Sequence, residues 1–197
     1  MEFSVSRPRV IDQSKILDAA EAVVVREGAA RLTLDAVASE AGISKASVIY
    51  DFKTKQALIK AVIERRFSEE EAKFDAATEK LGAVADARIL GRIAATSDSP
   101  ADDAQAVALH LCSALAQDAE LRCMLQQSYD REIKMIEAQS PNARMGRLAF
   151  LALEGLRSLE FLGIYSWPEP TRSRILKEIE ELVAGNPHSQ SAEENGG

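Results

Sequence analysis

The sequence predicts an all-α protein of one to two small domains. Ala, Leu, Glu and Lys are abundant among its 197 residues, and Gly and Pro are sparse within the long segments. Such a composition favours helices. Hydrophobic residues make up 46% and charged residues 28%, which is ordinary for a globular protein. The chain is therefore long enough to bury a sizeable helical core.

The N-terminal part contains three predicted helices. Apolar residues at helical spacing predict a first helix from 11 to 26. Thr33 is a good N-cap for a second helix, and Gly42 ends that helix. Ser44 then caps a third, short helix. Two short helices joined by a tight Gly-containing turn form a helix-turn-helix pattern.

The remainder of the chain is predicted to stay helical. Thr54 caps a long fourth helix, and the segment 96–100 with Pro141, Pro168 and Pro170 separates the later ones. We expect helices at 55–80, 82–95, 102–117, 119–139, 142–165 and 170–184. The predicted division is a flexible arm at 1–10, a helix-turn-helix domain at 11–54, a larger helical domain at 55–185 and a disordered tail at 186–197.

Charge is distributed unevenly along the chain. The formal net charge is -7, but residues 1–66 carry 11 Lys and Arg against 9 Asp and Glu, about +2. Residues 67–197 carry 13 against 22, about -9. We therefore expect an anionic partner to bind the N-terminal third.

Cysteine content and the N-terminus indicate the compartment. Two cysteines, Cys112 and Cys123, are too few for a disulfide framework and fit a reducing environment. The first ten residues contain no apolar signal segment, and no apolar run reaches the ~18 residues that span a bilayer. The sequence predicts a cytoplasmic protein without membrane association. A redox-responsive role for the two thiols stays open as an alternative, although buried inert thiols are commoner.

The third helix presents a surface suited to DNA. At 100° per residue, Lys45, Ala46 and Ile49 share one face. Lysine can donate to guanine acceptors, and the alkyl groups can contact thymine methyls. Groups able to bind phosphates flank this face: Ser44, Ser47, Tyr50, Lys53 and Lys55.

These residues carry a family resemblance. The stretch "TLDAVASEAGISKASVIYDFKTKQAL" begins at Thr33, and residues 11–63 as a whole resemble the DNA-binding region of the TetR family of transcriptional regulators. The positions that match the family pattern are Thr33, Ala38, Ala41, Gly42, Ser44, Tyr50, Phe52, Lys55 and Leu58. The match is dense over roughly a quarter of the chain, and density of this kind is more specific than a lone short motif.

The resemblance implies roles for individual positions and shows two departures. It implies base contacts by Lys45, Ala46 and Ile49, and phosphate contacts by Thr33, Ser47, Tyr50 and Lys55. Ile49 replaces the usual Tyr, so we expect a more apolar readout. Asp51 replaces the usual His and is expected to point away from phosphate or to cap locally. Arg7 and Arg9 either reach a minor groove or lie in an arm without contact.

For the C-terminal domain the resemblance implies dimerisation. Residues 142–165 are too apolar for a helix with one fully exposed side, and two such helices from each subunit would form a four-helix interface. An intramolecular core explains the periodicity equally well. The expected interface residues are Leu148, Leu151, Ala152, Gly155, Leu159, Leu162, Ile175, Ile179 and Leu182.

The resemblance also implies a small-molecule effector bound among the middle helices. The expected molecule is largely apolar, and it releases a repressor from its operator by tilting the fourth helix. The expected pocket residues are Phe67, Phe74, His110, Leu111, Leu115, Met124, Leu125, Tyr129, Phe150 and Glu154, with Arg122 as a further polar candidate. For any one of them, an ordinary core or surface position is the alternative.

Other functional classes find little support in the sequence. It contains two histidines and no Ser/His/Asp order, phosphate loop or metal-ligand spacing, so we predict no catalysis, no metal and no cofactor. A helical scaffold that binds only protein is the remaining alternative. Salt-dependent DNA binding distinguishes the two hypotheses.

Overall fold

A computed structural model describes residues 13–28, 31–98, 116 and 118–184. Across these residues the fold is entirely helical, as predicted, with eight helices and no strand. The helices are α1 (Gln13–Glu27), α2 (Leu34–Ala41), α3 (Lys45–Asp51), α4 (Lys55–Leu81), α5 (Ala87–Ala95), α6 (Ala119–Gln139), α7 (Ala143–Phe161) and α8 (Glu169–Val183). None of the helices in these ranges is both long and apolar enough to span a membrane.

The chain divides into two compact units. Unit 1 ends at Arg66 and unit 2 begins at Phe67. The boundary falls within α4, so one continuous helix contributes residues to both units. The predicted domain boundary at 54–55 lies at the start of α4, whereas the boundary between the two units lies inside this helix, after Arg66.

Local capping sets the helix boundaries of unit 1. The Thr33 hydroxyl accepts from the Ala36 N–H at 3.0 Å, and the Ser44 hydroxyl accepts from the Ser47 N–H at 3.1 Å. Gly42 lies in the left-handed region at φ +65°, and the Ile43 N–H then donates to the Ala38 carbonyl. This turn fixes the direction in which α3 leaves α2.

An apolar core and ion pairs between helices hold unit 1 together. The buried residues are Ile16, Ala19, Ala20, Val23, Val24, Leu32, Val37, Ala38, Val48, Phe52, Leu58, Val62 and Ile63. Arg65 of α4 binds α1 through the Asp18 carboxylate at 2.6 Å and the Glu21 carboxylate at 2.5 Å. These contacts hold α1 against α4 beside the core. Helix α3 packs through Val48, its buried residue.

Unit 2 has its own core, formed by α5 to α8. Its buried members are Ile89, Ile93, Ile136, Ala149, Phe150, Leu153, Leu156, Leu176 and Ile179. Gly91 lets α5 approach α4 closely, because a Cβ there would lie 2.4 Å from the Thr78 hydroxyl and 2.7 Å from the Thr78 backbone nitrogen. This close approach brings the polar side of α5 against the second half of α4.

Arg172 of α8 is fully buried and closes the end of α5. Its guanidinium donates to the carbonyls of Thr96 at 2.7 Å, Ser97 at 2.5 Å and Asp98 at 3.0 Å. It also donates to the Glu160 carboxylate of α7 at 2.9 Å. The last carbonyls of a helix lack intrahelical partners, and here a side chain from another helix satisfies carbonyls just beyond α5.

Two helix boundaries differ from the prediction by several residues, and others differ by one. The segment predicted as a helix from 82 begins at Ala87, because Gly82 and Asp86 adopt positive φ angles of 69° and 58°. The helix predicted to reach 165 ends at Phe161, and Gly163 follows at φ +63°. The arm at 1–10, the tail at 186–197 and nearly all of the helix expected at 102–117 lie outside the described residues.

Candidate functional site

The α3 surface exposes the residues expected to contact bases. Lys45 and Ala46 are exposed, Ile49 is 41% exposed and Tyr50 is 86% exposed. Val48, on the opposite side of the helix, is fully buried. The helix therefore presents a mixed cationic and apolar face, as the helical wheel predicts.

The polar groups near α3 already have defined neighbours. The Lys45 ammonium lies 2.8 Å from the Asp35 carboxylate of α2. The Ser44 and Ser47 hydroxyls lie 2.8 Å apart, and the Ser44 hydroxyl caps α3. Thr54 caps α4 by accepting from the Ala57 N–H at 3.0 Å. The expected phosphate ligands Thr33 and Ser44 thus also have structural roles, while Lys53 is exposed and Lys55 half-buried at the start of α4.

Asp51 turns toward α1. Its carboxylate accepts a hydrogen bond from the Gln13 side chain at 3.2 Å. The side chain is half-buried, in contrast to neighbouring Tyr50. Asp51 is thus held by another helix, and the expectation that it points away from phosphate or caps locally stays a prediction.

Unit 2 contains a network of arginines and carboxylates in its interior. Glu132 of α6 is bound by Arg88 of α5 through three hydrogen bonds of 2.8, 3.0 and 2.5 Å. Arg92 contacts Glu132 at 3.3 Å and Glu154 of α7 at 3.0 Å. Arg157 contacts Glu154 at 2.8 Å. These five side chains add ion pairs between α5, α6 and α7 to the apolar packing of the same helices.

The second half of α4 completes this network. Glu71 lies 3.4 Å from Arg92, Asp75 pairs with Arg88, and Glu70 pairs with Arg157. We call the eight residues the charged cluster: Glu70, Glu71, Asp75, Arg88, Arg92, Glu132, Glu154 and Arg157. Ion pairs removed from water are costly unless their geometry is good, so such a cluster is a candidate for function as well as for structure.

Aromatic rings surround the arginines of the cluster. The Arg92 guanidinium lies 3.9 Å from the Phe74 ring centre and 5.3 Å from the Phe150 ring centre. The Arg157 guanidinium lies 4.8 Å from the Phe74 ring centre. All three distances are within the range of cation–π attraction. The Phe74 ring therefore contacts two buried guanidinium groups, those of Arg92 and Arg157.

Burial and charge shift the proton affinities in this region. Burial raises the pKa of Glu71 above its ordinary value, and the neighbouring Glu132 adds to the rise. Burial also raises the pKa of Tyr129, whose hydroxyl donates to Glu154 at 3.1 Å. Hydrogen bonds to Glu132 raise the pKa of Arg88. Arg88 hence stays charged, and Glu71 takes up a proton more readily than an isolated glutamate does.

A small cavity lies at the centre of the cluster. Its volume is about 10 Å³, room for about one water molecule. Its lining among the described residues is Phe67, Glu70, Glu71, Arg92, Ser128, Tyr129, Glu132 and Arg157. The Arg92 Nε, although buried, has no hydrogen-bond partner in the part of the chain that the structure describes. A larger molecule could enter only if these side chains moved.

Comparison with known proteins identifies the family. Residues 16–62 match the model of bacterial regulatory proteins of the tetR family. Residues 86–184 match the tetracyclin repressor-like C-terminal domain. The second match alone spans half of the chain. The chain belongs to the TetR family. Among curated proteins no relative matches it.

Solved structures support the same fold. A TetR transcription regulator from Haloarcula marismortui ATCC 43049 is 18% identical, with a TM-score of 0.67 over 87% of this chain and 95% of that one. A regulator from Saccharomonospora viridis, solved in complex with choline, is 18% identical, with a TM-score of 0.66 over 88% and 96%. One from Streptomyces coelicolor A3(2) is 20% identical, with a TM-score of 0.65 over 88% and 98%.

Within this TetR-family chain, the expected pocket residues lie in different environments. Phe74 and Phe150 are buried, Phe67, Met124, Leu125 and Glu154 are half-buried, and Tyr129 is 40% exposed. Tyr129 and Phe150 contact each other edge to face at 6.0 Å. His110, Leu111 and Leu115 lie outside the described residues, and Arg122 is exposed. The described lining of the cavity includes two arginines, Arg92 and Arg157, and three glutamates, so this part of the site is more polar than the expected pocket residues suggest.

The expected interface residues also divide into two groups. Leu148, Leu151, Ala152, Gly155 and Leu159 are exposed along one side of α7, and Leu182 of α8 is exposed as well. We call these six residues the apolar stripe. By contrast, Ile179 is buried in the core of unit 2, Ile175 packs against that core, and Leu162 is half-buried after the end of α7. Ile179 is thus a correction, because packing within the chain already covers it.

The arginines of the cluster are functional candidates that sequence reasoning missed. Arg88 and Arg92 are four residues apart on α5, and each directly precedes an isoleucine of the core, Ile89 and Ile93. Like charges at this spacing weaken an isolated helix, which indicates that partner carboxylates lie on other helices. Nothing in the sequence identifies which carboxylates these are. Cys123 is exposed, Cys112 lies outside the described residues, and no metal-binding group of His, Cys, Asp and Glu occurs in the described ranges.

Proposed function

We propose that this TetR-family protein represses transcription by binding operator DNA as a homodimer and leaves the operator when a small molecule binds unit 2. The observation that carries the proposal is the α3 surface, where Lys45, Ala46, Ile49 and Tyr50 are exposed together. Helices of this kind enter the major groove of DNA in helix-turn-helix proteins. The phosphate-binding residues would be those flanking α3, with Lys53 and Lys55 at the start of α4.

DNA binding is tested with the full-length protein and the DNA upstream of its own gene. Fluorescence anisotropy across a salt series should show tight binding to this fragment, weaker binding to scrambled DNA, and a steep salt dependence. Tyr50→Ala should weaken binding, and Lys177→Ala, which alters an exposed residue of α8, should not. Absence of binding to either DNA at low salt would contradict the proposal and favour the protein-binding scaffold.

A homodimer is supported by the apolar stripe on α7 and α8. Its α7 members occur at spacings of three and four residues, so they lie on one side of the helix. Contiguous exposed apolar surface commonly marks an interface between proteins. A dimer would also provide two reading helices for two half-sites about 34–36 Å apart.

A matched pair of variants tests the stripe. Leu151 and Val84 are 55% and 52% exposed, but only Leu151 belongs to the stripe. Leu151→Glu should shift the protein to monomer in sedimentation velocity, because a charge would be buried at the interface. Val84→Glu should leave the mass unchanged. A wild-type monomer at micromolar concentration would contradict the dimer.

The effector is proposed to bind at the charged cluster and to carry a charged group of its own. A wholly apolar molecule would leave the arginines and carboxylates without partners, which is costly. A charged molecule can take the place of one side chain of the cluster as an ion-pair partner, so that the remaining side chains stay paired. The Saccharomonospora viridis regulator was solved with choline, so a small quaternary ammonium ion is one suitable probe.

Helix α4 would connect this site to DNA binding. It contains Lys55 at its start and Glu70, Glu71 and Phe74 in its second half. Coupling of this sort typically changes affinity 5- to 150-fold, about 1–3 kcal/mol. The test is a panel of small organic cations and anions, screened first by thermal shift of the protein alone and then by release of the DNA fragment. Phe67→Ala should alter the response to any hit while DNA binding remains, and an unaltered response would contradict this placement.

A further inference from the structure

The ion pair between Lys45 and Asp35 joins the two helices of the helix-turn-helix. Lys45 is the first residue of α3, and Asp35 lies in the first turn of α2. The ammonium and the carboxylate are 2.8 Å apart, and their side chains are 53% and 67% exposed. An ion pair this open to solvent contributes little to stability. The ion pair is therefore more important for the position of the Lys45 ammonium than for stability.

Asp35 restricts a side chain that is otherwise flexible. Lysine is a point charge at the end of a long stem with many rotamers. Holding it in one place before binding lowers the entropy lost on binding. The ammonium has three N–H donors, and one suffices for Asp35. The other two remain able to donate to the acceptors of a guanine edge.

The carboxylate also acts against incorrect binding. On random DNA, an exposed lysine gains most of its energy from phosphates, whatever the sequence. With Asp35 beside it, Lys45 has to share its charge, and the carboxylate itself repels phosphate. Specific interfaces commonly combine an attractive contact with a repulsive element of this kind. Asp35 thus penalises phosphate contacts more than contacts with a guanine edge.

We propose that Asp35 is a positioning residue that makes Lys45 discriminate guanine from the other bases. This inference rests on the proposed DNA-binding function. Among the described carboxylates of α2 and α3 it concerns Asp35, because Asp51 is engaged by Gln13 and Glu40 pairs with Arg26 at 2.8 Å. Glu40 therefore offers a matched control: it lies on the same helix and forms an equally short ion pair, but its partner Arg26 is on α1.

The test is in vitro selection from a random duplex library, using the full-length protein and four variants. The wild type should select a two-fold motif containing a guanine that Lys45→Met no longer selects. Asp35→Asn should select the same motif with discrimination at that guanine reduced about 5-fold or more, within the range of one good base contact. Asp35→Glu should restore part of the loss, and Glu40→Gln should behave as the wild type.

Affinity for scrambled DNA provides a second readout. Asp35→Asn should bind it more tightly, and the slope of log K against log salt should steepen by about 0.9, the value for one additional phosphate contact. A merely structural role would lower affinity for all DNA and leave the motif unchanged. Retention of full discrimination by Asp35→Asn, or loss at a different base from Lys45→Met, would overturn this inference alone. A wild type that selects no motif would overturn the proposed function as well.

Discussion

The Lys45–Asp35 pair of unit 1 and the Arg88–Glu132 pair of unit 2 use the same chemistry in opposite environments. In the first pair both side chains are more than half exposed, whereas the Arg88 and Glu132 side chains are 10% and 3% exposed. Water competes with the first pair and can replace either partner. In the second, each charge depends on the other, because few water molecules reach it. The same kind of contact can therefore adjust recognition in one unit and hold helices together in the other.

Breaking the buried network should have the largest effect. Glu132→Ala removes the carboxylate that binds Arg88 and approaches Arg92, and it should destabilise unit 2 by about 3–5 kcal/mol. Urea unfolding can be followed by the fluorescence of Trp167, the single tryptophan, which packs against the core of unit 2. The control is Glu137→Ala on the same helix. Its pair with Arg147 is more exposed, so we expect a loss below about 1 kcal/mol. Similar losses in both variants would remove the contrast between buried and exposed pairs.

The approach of α5 to α4 should be the next most sensitive feature. Gly91→Ala introduces a methyl group against Thr78 and should destabilise unit 2 by about 1–3 kcal/mol, measured by the same unfolding assay. Alanine is otherwise the better helix former, so a loss would be a packing effect. Adding Thr78→Ala should restore only part of the stability, since two of the three nearest atoms belong to the backbone. Complete restoration would show that the backbones are not in close contact.

A smaller effect should appear as a pH dependence at Glu71. Burial raises its pKa, so the folded state binds a proton more readily than the unfolded state does. The protonated form stabilises the fold fully below the ordinary pKa of 4.5, and this contribution is lost as pH rises through the raised value. Glu71→Gln cannot titrate. The free energy of unfolding of the variant minus that of the wild type should therefore increase as pH rises from 4.5 toward neutrality. A constant difference from pH 4 to 7 would contradict the shift.

The exposed pair should matter least for stability. Asp35→Asn loses a solvated ion pair and a favourable charge in the first turn of α2, and together these should cost less than about 1 kcal/mol. Thermal unfolding followed by far-ultraviolet circular dichroism provides the measurement. Glu40→Gln should behave alike. If Asp35→Asn alone unfolded at much lower temperature, its effect on DNA could no longer be separated from folding.

The features predictable from sequence are those set by neighbouring residues. Thr33, Gly42 and Ser44 act through atoms within a few positions, so the ends of α2 and the start of α3 follow from the sequence. Helix α6 has the predicted range of 119–139. Exposure of Lys45 and Ile49 also follows from helical periodicity. Local reasoning of this kind covers most of unit 1.

Features that depend on distant residues were not predictable. Arg88 meets Glu132 across 44 positions, and Arg157 meets Glu70 across 87. Periodicity identifies the face of a helix but not which charge lies opposite. The same limit explains the correction at Ile179, because apolar spacing is identical for a core and for an interface. The Lys45–Asp35 contact, by contrast, spans ten positions within the helix-turn-helix, so the geometry of that motif could have suggested it.

The contacts by which Arg172 closes the end of α5 have a consequence for biosynthesis. The Arg172 guanidinium is synthesised long after the carbonyls that it binds. It binds carbonyls 74 to 76 positions earlier in the chain. Translation delivers the N-terminal end first, so every residue of unit 1 leaves the ribosome before this guanidinium exists. At about 5–20 residues per second, synthesis from Arg66 to Arg172 takes roughly 5–20 s. A message cut short in this interval would encode the whole of unit 1 without the residue that closes α5, and we expect its product to be a substrate for cellular proteases.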